Sequence, residues 1–389
     1  MSYISSNANR WYCAAESAYG LIPAITAANR IPAVTLSAQL RRAKTQRKDK
    51  TGSRTWAGAP QGLRTQTSYD MKTYMRDWAD PTTLPPHDPL VGAALGGSGV
   101  LWTGGTPGTA TTTSSVSFAA PHGLAPGQAV VSGDEIRFVA AVADASTVIL
   151  NAPFSTIPTP GVPLGPTASY SPAETLPSFS LFDYWDPSTA IQRVLTGAAV
   201  DSMTIKLNGD FHEFEFKGQA QDIVDSASFA ANQGGTQTFP AEPAVAACSY
   251  SPIPGNLGQV WLGVIPNQFL SISAASVEIN NNVDMRANEF GSMLPQGISP
   301  GQREVSVSLE LFGQDDTATE SLYQAARQQI PMGVMFQLGQ TGGQLLGIYL
   351  KSVVPVVPEF DDSDKRLKWK FQDTRAQGTL NDEIAIAFG

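Results

Sequence analysis

Three histidines, two cysteines and a few clusters of carboxylates are the residues of this 389-residue chain whose types could do chemistry. Catalysis needs such groups in convergent sets with tuned pKa values. His87 precedes a helix start, His122 sits in the turn Pro121-His122-Gly123 and His212 opens a strand; none has a partner at metal-ligand spacing. Gly297-Ile298-Ser299-Pro300-Gly301 matches the bare G-x-S-x-G of a nucleophile elbow. That arrangement requires a histidine after the serine, but the last one is His212, and Pro300 removes the backbone N–H that would serve the oxyanion. Asp315-Asp316 and Asp361-Asp362-Ser363-Asp364 raise calcium binding or a glycosidase pair. The first pair reads better as a helix N-terminus, where the dipole favours acids, and the second as a polar hairpin tip. Cys13 and Cys248 read as ordinary thiols, and neither a Walker A sequence nor a dinucleotide fingerprint is present. The expectation is a protein that is not an enzyme, with no cofactor and no metal.

Charge supplies a different kind of signal. Residues 1–80 hold 12 Lys+Arg and 5 Asp+Glu, whereas the remaining 309 hold 13 and 29. The basic part centres on Arg41, Arg42, Lys44, Arg47, Lys48, Lys50 and Arg54, with the turn residues Thr51-Gly52-Ser53 before the last of them. A nucleic-acid arm, a solvated loop and a loop that docks on the acidic remainder of a second copy are the three readings. Docking on a second copy fits best, because the aromatic interleaving of a single-strand platform is missing. Charged residues make up only 15% of the chain, where about 25% is usual, so much of the surface is expected to face other subunits.

The elements that must carry these groups run through the same order twice. In the second round, residues 276–284 alternate as a half-buried strand and 288–302 form a Gly/Pro-rich loop; Val305, Val307, Leu309 and Leu311 then alternate with polar residues. Thr317 and Glu320 predict a capping box opening a helix with an apolar stripe at Leu322, Tyr323, Ala326 and Ile330. A hairpin over 334–354 and strands at 367–372 and 384–388 complete it. In the first round, a strand over 33–40, the basic loop 41–61, a strand at 68–71 and a helix with Asp88 as N-cap and Gly96 at its end follow the same plan. A hairpin turning at 186–189, and strands joined through Asn208-Gly209, continue it.

With 35 Gly, 28 Pro and 42% hydrophobic residues, the composition is that of a β-rich chain able to bury cores. Residues 104–168 carry strand patterns at 115–118, 129–131, 135–142 and 147–150, a small inserted β-domain. The expected organisation is an N-terminal arm (1–30), a first domain (31–103 with 169–225), the insertion (104–168), a connector (226–258) and a second domain (259–389). No run approaches the roughly 18 apolar residues of a membrane helix, and the N-terminus lacks a basic-then-apolar signal, so a cytoplasmic product without a membrane span is expected.

Glu16-Ser17-Ala18-Tyr19-Gly20, the loop Lys48-Asp49-Lys50-Thr51-Gly52-Ser53-Arg54-Thr55 and the order strand, long loop, strand, helix, strands resemble the tail tube proteins of long-tailed, non-contractile bacteriophages. The resemblance covers most of the chain outside 104–168 and 226–258. It implies a mainly β fold: two tail-tube-type β-sandwich domains, each with a flanking α-helix. It also implies a structural virion protein that polymerises into stacked rings, forming the hollow tail tube through which genomic double-stranded DNA passes without being held. In that family a long loop reaches the adjacent ring; here 41–61 and 288–302 match it. Most members build six-subunit rings, and the internal repeat favours pseudo-hexameric rings of three chains over a homohexamer. The implied partners are copies of itself, neighbouring rings and other tail proteins at the tube ends, and the implied location is the virion, after assembly in the host bacterial cytoplasm. An acidic lumen would keep DNA mobile, since each neutralised phosphate adds affinity; the candidate lumen acids are Glu213, Glu215, Glu278, Asp284 and Glu310.

Two other classes compete. A decoration or receptor-binding module would stack an exposed Trp102, Trp185 or Trp261 on sugar, although burial is the commoner fate of tryptophan. A glycosidase would need two carboxylates about 5 to 10 Å apart in a cleft.

Overall fold

Alternating side chains turn most of the chain into antiparallel strands, in a computed structural model that describes residues 3–42, 48–55, 58, 63–245, 250–363 and 365–389. From the N-terminus come β1 (Asn9–Ala15), β2 (Arg30–Ile31), β3 (Ala33–Arg42), β4 (Thr65–Tyr74) and helix α1 (Asp88–Leu95). Next are β5 (Val100–Trp102), β6 (Ser115–Ser117), β7 (Ala129–Ser132), β8 (Glu135–Asp144), β9 (Thr147–Leu150), β10 (Thr167–Tyr170), β11 (Phe179–Trp185), β12 (Arg193–Leu207), β13 (Glu213–Ala220) and β14 (Asp222–Asp225). Then follow β15 (Gly258–Gly263), β16 (Asn267–Gln268), β17 (Ile272–Asn280), β18 (Asp284–Met285), β19 (Ile298–Ser299) and β20 (Glu304–Phe312). Helix α2 (Thr317–Gln328) precedes β21 (Met332–Leu338), β22 (Leu346–Val353), β23 (Glu359–Asp361), β24 (Lys368–Arg375) and β25 (Ala385–Phe388).

The fold is mainly β. One long run of neighbours reads β3-β4-β13-β12-β17-β20-β24-β23. β12 belongs to two layers: its first half pairs with β11 and β14, and its second half with β13 and β17. Against the long sheet pack the neighbours β2-β1-β11-β12-β14 and a second sheet in the order β16-β15-β21-β22-β25-β10-β5. One apolar cluster, from Trp11 and Met71 to Phe336 and Phe388, lies between them.

Pairing order recurs as element order does. β2-β1-β11-β12-β14 has the same connectivity as β16-β15-β21-β22-β25, and β3-β4-β13 the same as β17-β20-β24. Each helix follows the second strand of its round, α1 touching β1 and α2 touching β15.

The local expectations need several corrections. The strand expected over 276–284 stops at Asn280, because Asn281 turns its side chain inward to donate to the carbonyls of Ala94 and Val200, and Asn282 takes φ +48°. Asp284 therefore lies in the short β18–β19 hairpin. The N-cap of α2 is Asp316, whose carboxylate accepts from the Thr319 N–H at 2.7 Å, rather than Thr317; Ile330 lies beyond the helix and is exposed. Asp88 sits in the first turn of α1, where its carboxylate accepts from Gly99 N–H and the Tyr170 hydroxyl, and His87 holds the cap position. Residues 9–15, inside the expected arm, are a strand with Trp11, Tyr12 and Cys13 buried. Likewise 258–263, at the end of the expected connector, is β15.

The four strands expected in the insertion are present as one sheet, β6-β9-β8-β7, around Val116, Phe118, Val139, Val148 and Phe154. Ile136 and Phe138 press its other face onto Trp261, Met335 and Leu345. Arg137, fully buried, locks the contact by donating to Glu135 and Gln259, both at 2.9 Å, with its guanidinium over the Trp261 ring.

Glu16 explains why the segment 16–20 is distinctive. Its carboxylate accepts four bonds, from Gly20 N–H and Gly197 N–H at 2.7 Å and from the Ser178 and Ser180 hydroxyls at 2.6 Å. Gly197 has φ +57°, and Tyr19 lies 3.0 Å from where a Cβ would stand. Glu16→Ala, which leaves these donors unpaired at the strand junction, is expected to lower stability by about 3 kcal/mol in urea melts; an unchanged midpoint would show that water replaces the carboxylate without cost.

Candidate functional site

The outward face of the long sheet is polar on every strand. On β4, Thr67, Tyr69, Met71 and Thr73 are buried, so Ser68, Asp70 and Lys72 point away from the core. Phe214 and Phe216 are buried on β13, Met203 and Ile205 on β12, Val277 and Ile279 on β17, and Val305, Val307 and Leu309 on β20. By the two-residue period, Glu213, Glu215, Lys217, Thr204, Lys206, Glu278, Ser306, Ser308 and Glu310 share the opposite face. Four of the five candidate acids are thereby brought onto one surface; Asp284 is not among them.

This surface is a mosaic rather than a field of negative charge. Glu215 has Lys217 at 3.0 Å, Lys206 at 3.5 Å and Lys72 at 3.8 Å. Burial pushes its carboxyl up, but the hydrogen bond and charge of Lys217, with the charges of Lys72 and Lys206, outweigh that and hold it below the usual carboxylate range. The hydrogen bond to Glu215 in turn raises Lys217. Sequence reasoning singled out the acids and missed these lysines, which the alternation of residues 202–207 and 213–217 would have placed on the same face.

Arg41 and Arg42 stand at one end of the sheet. β3 ends at Arg42 opposite Thr65, and exposed Arg41 and Arg42 lead into the loop whose Lys48, Lys50 and Arg54 are also exposed. Lys44 and Arg47 lie outside the described residues. The second long loop reaches the same end: Thr65 N–H donates to the Met293 carbonyl at 2.9 Å, and Arg64 donates to the carbonyl of Asn288 at 3.1 Å.

The lateral edges differ from the middle of the sheet. Among the described residues, β3 pairs in the long sheet only with β4, and β23 only with β24. Beside β23, Val356, Val357, Phe360 and Leu367 are 51%, 44%, 53% and 41% exposed. Phe360 stacks on Trp369. Met203 and Ile205, at the comparable place in the first round, are 1% exposed, in the main core and beside Ile279 and Val277 of β17.

The candidate chemical groups are engaged in structure. Buried His87 lies within 3.0 Å of the Thr73 hydroxyl and the Tyr74 carbonyl; burial, with the charge of Arg76, pushes its pKa down to about 4. His122 accepts from Leu124 N–H, and His212 donates to the Leu257 carbonyl. Ile298-Ser299 is a strand and not an elbow. Asp361 pairs with Lys370 at 2.6 Å. Cys13 is a buried free thiol, while Cys248 and Asp364 fall outside the described residues. Among the described residues no three His, Cys, Asp or Glu group to hold a metal ion, and no helix is long and apolar enough to cross a membrane. Trp261 is buried under Arg137; Trp102 and Trp185 are half-buried, Trp102 donating to the His122 carbonyl.

The family described as phage tail tube protein matches residues 108–388, most of the chain, so this chain belongs to that family of structural tail components. No curated protein matches it.

Proposed function

We propose that this member of the phage tail tube family closes into rings of three chains, and that the rings stack into the tube through which double-stranded DNA leaves the virion. The observation that carries the reading is the β12–β17 junction. The long sheet consists of two four-strand units of like order, β3-β4-β13-β12 and β17-β20-β24-β23, joined where Met203 faces Ile279 and Ile205 faces Val277. The second unit ends on β23, with apolar side chains uncovered, and the first begins on β3, whose outer edge has no strand beside it among the described residues. Pairing β23 of one copy with β3 of the next repeats the internal junction and satisfies both edges. A heterologous contact of this kind closes into a ring when the rotation allows. An internal duplication supplies two units per chain, so three chains give the six units of a pseudo-hexamer; a homohexamer is the alternative.

The polar mosaic then lines the lumen, its lysines held by carboxylates so that phosphate gains little by displacing them. The two long loops, lying at one end of the sheet, face the next ring, and other tail proteins meet the end rings. Assembly is assigned to the host cytoplasm. A sugar-binding role has less support, since Trp261 is buried and Trp102 and Trp185 are half-buried.

Negative-stain imaging of the purified protein, with mass measurement of isolated rings, tests the reading. Rings of three times the 41.2 kDa chain are expected; six chains would keep the tube but remove the pseudo-hexamer, and monomers under all salt conditions would overturn both. Reversal of the basic loop by Arg47→Glu, Lys48→Glu and Lys50→Glu is expected to leave rings intact and stop tube growth. Unchanged tube length in the same images would contradict that role.

A further inference from the structure

The two ends of the long sheet differ in shape as well as in charge. At the loop end, Phe290 is fully exposed and Met293 is 53% exposed. Their loop is braced: Arg64 and Thr65 bond its carbonyls, Arg286 pairs with Glu289, and Gln221 donates to the Pro295 carbonyl at 3.1 Å. An apolar tip held out on a braced loop loses little freedom on docking.

At the opposite end, beyond the Tyr74 end of β4, lies a cavity of about 490 Å³ lined by Trp78, Ala79, Pro81, Val131, Pro166 and Gly343. Its wall is fixed, since Trp78 N–H donates to the Gly343 carbonyl at 2.7 Å and its indole N–H to the Thr83 carbonyl at 2.9 Å. Asp77 lines the cavity, and Asp80 and Asp134 stand exposed in the neighbouring turns. Around the Phe290 loop the exposed charges include Arg64, which donates to the Asn288 carbonyl, and Arg42, which stands opposite Thr65, besides the Arg286–Glu289 pair. Each chain thus carries one apolar tip with cations near it, and one apolar socket with carboxylates near it, at opposite ends of a ten-residue strand.

We propose that the Phe290 tip of one chain enters the Trp78–Pro81 socket of a chain in the adjacent ring. The proposal rests on the tube reading and adds to it a specific inter-ring contact, one per chain, whose charge pattern fixes which end meets which. Tip and socket are different surfaces, so the contact repeats without limit along the tube axis.

Two variants test it. Phe290→Asp, at a fully exposed position, is expected to melt like the parent and to form rings that do not stack. Oxidised tubes of an Asn288→Cys, Ala79→Cys double variant, which keeps Phe290, are expected to run as a ladder of cross-linked multimers on a non-reducing gel, since disulfides form only between Cα atoms about 4.4 to 6.8 Å apart. Parent-length tubes from Phe290→Asp, or tubes of the cysteine pair without a ladder, would overturn the socket while leaving the tube in place. Failure of the unaltered protein to form rings would overturn the tube reading itself, and the socket with it.

Discussion

Phe360→Asp is expected to give folded monomers that no longer close into rings. Phe360 stands on the uncovered side of β23, stacked on Trp369 and near Tyr323. Its counterpart place in the chain, around Met203, is buried and has β17 paired beside it. A carboxylate enclosed at that junction without a partner costs about 3 kcal/mol per interface, a factor on the order of 100 in each association constant. A closed ring meets that cost at every junction. Within the monomer the loss is smaller, about 1 kcal/mol, because Phe360 is half exposed and forfeits mainly its aromatic contacts. Mass measurement in solution beside a thermal melt separates the two effects. Rings of parent mass from a variant that melts normally would place the subunit junction elsewhere.

The second large effect concerns the face that we assign to the lumen. Glu215→Gln is expected to turn a wall that lets DNA pass into one that holds it. Glu215 is the common partner of Lys72, Lys206 and Lys217, and the amide leaves these cations available to phosphate. Each phosphate neutralised adds about 0.9 to the slope of log affinity against log salt. Two cations freed per chain would raise the affinity of rings for duplex DNA at least about tenfold at low salt, with that gain lost at high salt. Anisotropy of a labelled duplex, titrated with rings across a salt series, reads this directly. No change in affinity or slope would mean either that DNA does not meet this face or that Asp70, 4.0 Å from Lys217, and its neighbours suffice to hold the lysines.

How much of this was readable in the residues depends on whether an element has two unlike faces. β4 and β20 alternate because one face meets the core and the other water, so their existence and orientation are legible. The hairpin at Asn208-Gly209 is legible for a local reason, since Asn208 takes φ +63°. β1 and β15 escaped because Trp11 to Ala14 and Val260 to Leu262 are buried in succession, which erases the period of two. Asp284 reads from the alternation as part of the 276–284 strand because the inward turn of Asn281, which ends that strand, depends on the carbonyls of Ala94 and Val200, far away in the chain. The basic loop is evident from composition alone, but the approach of the Phe290 loop to the start of β4 is not, as the bonds from Arg64 and Thr65 span more than 220 residues.

Two rounds of strand, long loop, strand, helix and hairpin, the alternation that sends carboxylates to one face of the long sheet, and the concentration of cations near residue 48 are properties of the sequence by itself. Each depends on side-chain type and local spacing. Which strands stand side by side, and so that β12 meets β17 while β23 and β3 end the long sheet, was decided only by the tertiary structure. Strands join through backbone N–H and C=O groups that nearly every residue carries alike, so neighbour and register are chosen by the packing of whole sheets against the core and not by any short segment.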